Sequence, residues 1–299
     1  MRAIALLPAA TEIIAALGGL DRLVGVTHEC DHPPAVRHLP RVAASVVDPA
    51  WSAAQIDAAV REQASMGAPL FRLDEALIAR LEPDVIFTQA VCDVCAVSES
   101  DVRALATRLP SAPSVVTLRA DSFDGVFADI ERVGEAIGLP EEAVELVMGL
   151  RTRLGRVHDT LRRAHAPRPR AMVIEWLDPV FVAGHWVPEI VRRAGGVPLL
   201  VQPGEHSRTS TPREVQAFAP EVLLIAPCGF RIERAARDAR ATLASEDWHW
   251  TRDRRVWALD GNGLTSRPGP RLVNGVETVA RIFHPDLFPP PSAADARSL

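Results

Sequence analysis

The chain has 299 residues, 47% of them hydrophobic and 24% charged, which suits one large globular domain or two compact lobes. All 33 residues of the Lys+Arg count are arginine and tyrosine is absent, which excludes pyridoxal-phosphate enzymes, ordinary P-loop NTPases and dehydrogenases with a catalytic tyrosine. The formal net charge of −5 argues against nucleic acid as the main partner, because a duplex binder needs a basic face.

The N-terminus enters a short apolar run at once, without the charged region, long apolar stretch and cleavage site of a secretory leader. No stretch approaches the roughly 20 apolar residues that span a bilayer. We therefore expect a cytoplasmic protein that is not inserted in a membrane. In that compartment its four cysteines would be thiols or metal ligands rather than disulfides.

Short apolar runs alternate with helical patterns in both halves of the chain. The first half has predicted strands at 3–7, 23–26, 84–88 and 114–118, and helices at 10–17, 51–63, 74–81 and 98–109. The second half has predicted strands at 171–175, 198–201, 222–226 and 255–259, and helices at 188–194, 211–218, 232–243 and 270–283. This alternation predicts two mainly parallel sheets.

Residues 121–168 separate these halves and carry only helical periodicity. Pro140 suits the first position of a backbone helix at about 140–165, which would be about 39 Å long. The predicted fold is α/β, with two Rossmann-like lobes at 1–120 and 169–285 joined by the long helix. Residues 286–299 contain a proline run and are predicted to be a disordered tail. Similar spacing in 12–19 and 189–196, and in 81–86 and 218–223, favours a duplicated lobe.

Polar, thiol and aromatic residues follow the predicted strands of both halves. Ligands of open parallel sheets bind outside the carboxyl ends of the strands, so these residues predict a ligand site in a cleft between the lobes. The candidate ligand-binding residues are Pro8, Glu12, His28, Cys92, Cys95, Glu175, Trp176, Phe181, His185, Trp186, Cys228, Phe230 and Arg267. No residue is assigned a catalytic role.

Cys92 and Cys95 have the spacing of two thiolate zinc ligands, but no second pair at such spacing is present. One interpretation of the thiols is a metal site formed by Cys92, Cys95, His185 and Cys228. Redox exchange, unligated thiols and a Cys–His nucleophile pair are the others.

Arg267 precedes the last predicted helix, where free amides and a guanidinium can bind a carboxylate, an amide or a phosphate. It could equally pair with an acidic neighbour. With Lys and Tyr missing, a cation at the ligand must be Arg, and an aromatic wall must be Trp or Phe, with Trp186 and Phe181 the leading candidates. Glycine patterns for dinucleotides or phosphate loops are absent, so no nucleotide cofactor is expected.

Over about residues 1–284 the chain resembles the cobalamin-binding branch of the class III substrate-binding proteins. The resemblance rests on the bridging helix and the motifs at 7–12, 24–26, 31–34, 81–86, 178–184 and 266–271. It implies two α/β lobes joined by a helical backbone, with cobalamin or a related corrinoid as ligand and no required cofactor. Hallmarks at 28–31, 92–95, 175–178, 184–186 and 227–230 resemble those of a cytosolic subgroup.

Receptors of this family dock on an ABC permease through an acid on each lobe. Glu214 stands where the acid of the second lobe is expected, whereas residues 52–55 contain none, which argues against a permease partner. Three functions are open: a corrinoid-binding protein, which is favoured; a binding protein for a metal ion or chelate such as iron, zinc, a siderophore or haem; and a cysteine-dependent enzyme.

Overall fold

The computed structural model of the protein describes residues 1–90 and 97–299. Contacts divide the chain into two compact units. The first unit consists of residues 1–120 and 124–148, and the second of residues 121–123 and 149–299. Within the described ranges, no helix is both long enough and apolar enough to cross a bilayer.

The first unit is built on a six-stranded sheet. Its strands are β1 (Ala3–Ala5), β2 (Leu23–Thr27), β3 (Arg41–Ser45), β4 (Phe71–Leu73), β5 (Val85–Gln89) and β6 (Ser114–Leu118). Its helices are α1 (Pro8–Ala16), α2 (Ala53–Ser65), α3 (Glu75–Leu81), α4 (Glu99–Ala106) and α5 (Phe123–Ile137). The strand order is β4-β3-β2-β1-β5-β6, and only the β3–β4 pair is antiparallel.

Consecutive residues of β1 and β5 are buried, so both faces of the middle of this sheet are covered. Burial on both faces is typical of parallel strands. Ile4 and Ile86 pack with Ile78 of α3 and Val102 of α4 in one buried apolar cluster. Burial of this cluster fixes the register of the central strands, because a shift of one residue would turn these side chains to the other face.

Helix α6 (Pro140–Arg163) has 24 residues and therefore a length of about 36 Å. Glu141 and Glu142 lie in its first turn and Arg162 and Arg163 in its last, which complements the helix dipole at both ends. The boundary between the units falls inside this helix, between residues 148 and 149.

The second unit is built on a mixed sheet. Its strands are β7 (Arg170–Leu177), β8 (Val180–Val182), β9 (Val197–Pro198), β10 (Arg208–Ser210), β11 (Val222–Ile225), β12 (Arg255–Leu259) and β13 (Ala296–Ser298). Its helices are α7 (Val187–Arg193), α8 (Pro212–Ala217), α9 (Ile232–Leu243), α10 (Gly261–Leu264) and α11 (Leu272–Phe283). The order is β10-β8-β7-β11-β12-β13, β9 also pairs with β7, and β7, β11 and β12 are parallel.

These sheets confirm the predicted α/β fold class, with two units and a long helix. The strands β3, β4, β8, β10 and β13 were not predicted. Four of them have three residues each, too few for an alternating pattern to be recognised. All five of the unpredicted strands take part in antiparallel pairs, so the sheets are more mixed than expected.

The prediction of a disordered tail at 286–299 is corrected by strand β13. Ala296 to Ser298 pairs antiparallel with β12, and the Leu299 amide donates to the Val256 carbonyl at 3.0 Å. Arg297 also contacts Glu233 of α9 at 2.7 Å. The edge of β12 offers unpaired backbone groups, and the tail satisfies them.

Asp129 of α5 holds the segment that follows β6. It is 2% exposed, and its Oδ2 accepts hydrogen bonds from the amides of Arg119 and Ala120, each at 2.9 Å. Burial raises the pKa of Asp129, against the opposing effect of these amides and of Arg132.

We expect Asp129→Ala to lower the free energy of unfolding by about 3 kcal/mol, because two amides lose a charged acceptor. The control is Glu131→Ala, at an exposed position of the same helix, with an expected change within about 0.5 kcal/mol. Denaturant unfolding of both variants measures the difference. Equal midpoints for the two variants would contradict this role of Asp129.

Candidate functional site

The parallel strands of the second unit bring two predicted residues together. The Ala226 amide donates to the Ile174 carbonyl at 2.8 Å, and the Cys228 amide donates to the Glu175 carbonyl at 3.0 Å. The chain after β11 therefore runs alongside the end of β7. Glu175 and Cys228 become neighbours at the carboxyl edge of the sheet, as the strand-end rule predicts.

Glu175 occupies a β-bulge. Ile174 pairs with Val182 and Trp176 with Phe181, which leaves Glu175 without a partner on β8. Its carboxyl group makes a hydrogen bond with Ser207. Burial raises the pKa of Glu175, and the hydrogen bond from Ser207 opposes that rise only in part. Bulges commonly re-aim a side chain beside a functional site.

Three predicted aromatic residues, Trp176, Phe181 and Phe230, form what we call the aromatic patch. Trp176 and Phe181 are directly opposite on β7 and β8, so their side chains share one face of the sheet. The rings of Trp176 and Phe230 have centroids 5.3 Å apart with an interplanar angle of 57°. The guanidinium of Arg234 lies 3.6 Å from the Phe230 ring centroid, a cation–π contact. Trp176 and Phe181 remain half-buried.

His185 lies in a left-handed backbone conformation, with φ of 54°, that is uncommon for residues other than glycine. Its amide donates to the Glu205 carbonyl at 2.6 Å, and its carbonyl accepts from the Gly204 amide at 2.9 Å. Its ring makes an edge contact with the ring of His206, with centroids 5.1 Å apart and planes at 89°. These hydrogen bonds and this ring contact join the two loops of the second unit that carry His185 and His206.

The surroundings of His185 disfavour its charged form. Burial lowers the pKa of His185, the neighbouring His206 lowers it further, and Asp121 acts in the opposite direction. A half-buried, neutral imidazole keeps a nitrogen lone pair that can bind a metal.

Trp186 and Arg267 make contacts within the protein. Trp186 is 8% exposed, and its Nε1 donates to the Thr265 carbonyl at 2.6 Å. Arg267 is 6% exposed and donates to Oδ1 of Asn262 at 2.7 Å. The structure does not bring these two side chains into the aromatic patch as exposed groups, and a ligand role for them stays a prediction.

Asp260 follows β12 and was not among the predicted site residues. Burial raises its pKa, although the amide of Gly263 and nearby arginines lower it. Within the described part of the chain, its Oδ1 is buried and has no hydrogen-bond partner. The strand-end rule would have found Asp260. His206 and Ser207 precede β10, which carried no strand signal, and Arg234 lies inside the helix predicted at 232–243, where no ligand contact was expected.

The first unit places its predicted residues at its own strand ends. Pro8 begins α1 directly after β1, and Glu12 in the same helix is 3% exposed. His28 follows β2 and is exposed; its Nδ1 lies 3.3 Å from the Ala43 carbonyl. Its ring centroid is 5.9 Å from that of Phe71.

The two described cysteines differ in access. Cys30 is fully buried, with its sulfur 3.1 Å from the hydroxyl of Thr11 and 3.3 Å from that of Thr27, whereas Cys228 is exposed. Cys92 and Cys95 lie outside the described residues. Within 1–90 and 97–299, no group of three His, Cys, Asp or Glu side chains could hold a metal ion. The predicted metal site of Cys92, Cys95, His185 and Cys228 therefore stays a prediction.

Comparison with known proteins supplies the family. A family profile described as periplasmic binding protein matches residues 4–246. The chain is 24% identical, over 95% of its length and 80% of the relative's, to the uncharacterized ABC transporter substrate-binding lipoprotein YvrC of Bacillus subtilis (strain 168).

Two solved structures share the fold. A periplasmic heme binding protein from Pseudomonas aeruginosa has a TM-score of 0.74 and 22% identity, with 99% of this chain and 97% of that chain covered. The periplasmic vitamin B12 binding protein BtuF of Vibrio cholerae has a TM-score of 0.66 and 22% identity, with 94% and 96% covered. At these identities the likeness concerns the fold alone.

The predicted cytoplasmic location is corrected by these findings. The family is described as periplasmic and the curated relative as a lipoprotein, which points to a location outside the cytoplasm. The prediction of a cytoplasmic location rested on the first residues of the sequence alone, and these do not determine where a protein is located. The cytosolic subgroup is likewise unsupported. The profile covers most of the chain, and the chain belongs to the periplasmic binding protein family.

Proposed function

We propose that the protein is the substrate-binding protein of an ABC transporter and that its ligand is cobalamin or a related corrinoid. The observation that carries the proposal is the aromatic patch at the carboxyl edge of the second unit's sheet, with half-buried Trp176 and Phe181. Two structurally similar proteins are named as binding heme and vitamin B12, which supports this class of ligand. A relative named as an ABC transporter substrate-binding lipoprotein supports the transport role.

The chemistry of a corrinoid matches the patch. A corrin ring is broad, partly apolar and edged with amide groups, so its receptor needs aromatic faces and a few hydrogen-bond donors. Trp176 offers an indole that packs at a tilt against Phe230, with 5.3 Å between the ring centroids. Burial raises the pKa of Glu175, and a neutral carboxyl group could donate a hydrogen bond to an amide carbonyl of the ligand.

The described residues favour a chelated metal over a bare ion. A bare zinc ion takes about four protein ligands in a closed site. Residues 1–90 and 97–299 contain no cluster of three suitable donors. A metal that is already held by a macrocycle needs far fewer protein ligands.

Calorimetry with cyanocobalamin, cobinamide and haemin tests the proposed ligand. We expect heat and a change in the visible spectrum with the two corrinoids. Binding of haemin alone would favour the second candidate, a porphyrin receptor. No heat and no spectral change with any of the three, at concentrations on the order of 50 μM, would contradict the proposal.

The aromatic patch gives a variant with a matched control. We expect Trp176→Ala to weaken corrinoid binding by about 30-fold, because it removes the largest apolar face of the patch. The control is Trp250→Ala, since Trp250 is also a half-buried tryptophan of the second unit and is stacked on another aromatic ring, that of Trp248. Titrations should show unchanged affinity for the control, and an equal loss in both variants would contradict a ligand role for the patch.

Glu175 predicts a pH dependence of stability with a definite sign. Its pKa is raised in the folded state, so the folded state favours the protonated form; this contribution is present at low pH and is lost as pH rises through the folded-state pKa. The stability of Glu175→Gln relative to the native protein should therefore increase as pH rises from about 4 to about 8.

Urea unfolding across this pH range measures the effect. Glu62→Gln, at an exposed position of α2, is the control for loss of one carboxyl group. Corrinoid affinity should survive in Glu175→Gln, since the amide still donates a hydrogen bond. A relative stability that falls with rising pH would contradict the neutral carboxyl group.

Glu214 is the candidate contact with a permease. It lies in the first turn of α8, where it accepts hydrogen bonds from Arg208 at 2.8 Å and from the Ser210 hydroxyl at 2.9 Å, and its side chain is 31% exposed. We expect Glu214→Arg to abolish ligand uptake by cells while affinity in solution stays within about twofold. The control is Glu131→Arg, and lost affinity in Glu214→Arg would contradict a docking role.

A further inference from the structure

Two imidazoles lie together on facing loops of the second unit. His185 follows β8 and His206 precedes β10, and their rings touch edge to face with centroids 5.1 Å apart. The ring of His185 also lies 5.7 Å from that of Trp186. The aromatic patch and Glu175 involve neither imidazole, and His206 was not among the predicted site residues.

The loops that carry the pair are tightly joined. Gly184 approaches the backbone so closely that a Cβ atom there would lie 2.3 Å from the Ser207 amide nitrogen. The hydrogen bonds of the His185 amide and carbonyl, at 2.6 and 2.9 Å, hold its left-handed conformation. Uncommon backbone conformations maintained by the surrounding structure concentrate at ligand sites.

Ser207 connects this pair to Glu175. Its hydroxyl accepts from the Gly184 amide at 3.1 Å and makes a hydrogen bond with the Glu175 carboxyl group. The bulge beside the aromatic patch and the loop of His185 are therefore parts of one hydrogen-bonded assembly. Trp176 follows Glu175 directly in the chain, and Phe181 of the aromatic patch lies four residues before His185.

The number of metal-binding side chains near the two histidines determines whether they could bind a bare metal ion or a metal held in a macrocycle. The described residues offer no third side chain to complete a site for a bare ion. A metal held in the plane of a macrocycle has only axial positions open, and one imidazole fills such a position. His185 is half-buried and fixed by its backbone, whereas His206 is exposed and packs against it.

We propose that His185 supplies an axial imidazole to the metal centre of the bound tetrapyrrole, with His206 as a neighbour that orients its ring. This rests on the proposed function and assigns a coordination bond to it. The imidazole nitrogen donates its lone pair to the metal and displaces a bound water, and the oxidation state does not change.

Aquocobinamide and haemin are the probes, since both change their visible spectra when imidazole replaces water. The variants are His185→Asn, chosen because asparagine tolerates the left-handed conformation, and His206→Ala. Thermal unfolding verifies that both variants are folded. Equilibrium dialysis measures binding independently of the spectra.

We expect bound aquocobinamide to show the spectrum it has with free imidazole. His185→Asn should abolish this spectrum and weaken binding by at least about tenfold, whereas His206→Ala should retain it. A spectrum of this type with haemin alone would keep the axial role and replace the corrin with a porphyrin. Binding of either probe without the spectral change, or its persistence in His185→Asn, would overturn the axial role while leaving the receptor function intact. Binding of neither probe would overturn the proposed function itself.

Discussion

The parallel hydrogen bonding of β11 beside β7 is the constraint on which the candidate site depends. The pairing continues past the end of β11, through the amides of Ala226 and Cys228. The segment after β11 is therefore held along the end of β7, and Phe230 arrives 5.3 Å from Trp176. Without this continuation, the aromatic patch would consist of Trp176 and Phe181 alone.

Ser207 adds hydrogen bonds that hold the candidate site together. One hydroxyl, that of Ser207, contacts both the Gly184 amide and the Glu175 carboxyl group, and Ser207 lies 23 residues after Gly184 in the chain. A buried polar network of this kind fixes side chains only when its members are satisfied. Here it positions a carboxyl group whose pKa is raised by burial, and a loop that carries an imidazole.

The sequence predicted the fold class and the proximity of several strand-end residues of the second unit, because these depend on long periodic patterns and on the rule for strand ends. A ligand role for those residues stays a prediction. Glu175, Trp176, Phe181, Cys228 and Phe230 meet in the second unit as that rule requires. The burial of Trp186 and Arg267 could not be predicted, since it follows from Thr265 and Asn262 as tertiary partners. The pairing of β13 with β12 and the contact of His185 with His206 also join segments without a shared local pattern.

If the protein is a receptor for a metal-containing tetrapyrrole, the ligand that it carries from its native host should reveal this. Native mass spectrometry of the purified protein, with its absorbance spectrum, identifies that ligand without a choice of probe. We expect a bound mass equal to that of a corrinoid, with cobalt and visible absorbance. A bound ligand that has neither a macrocycle nor a metal would contradict it.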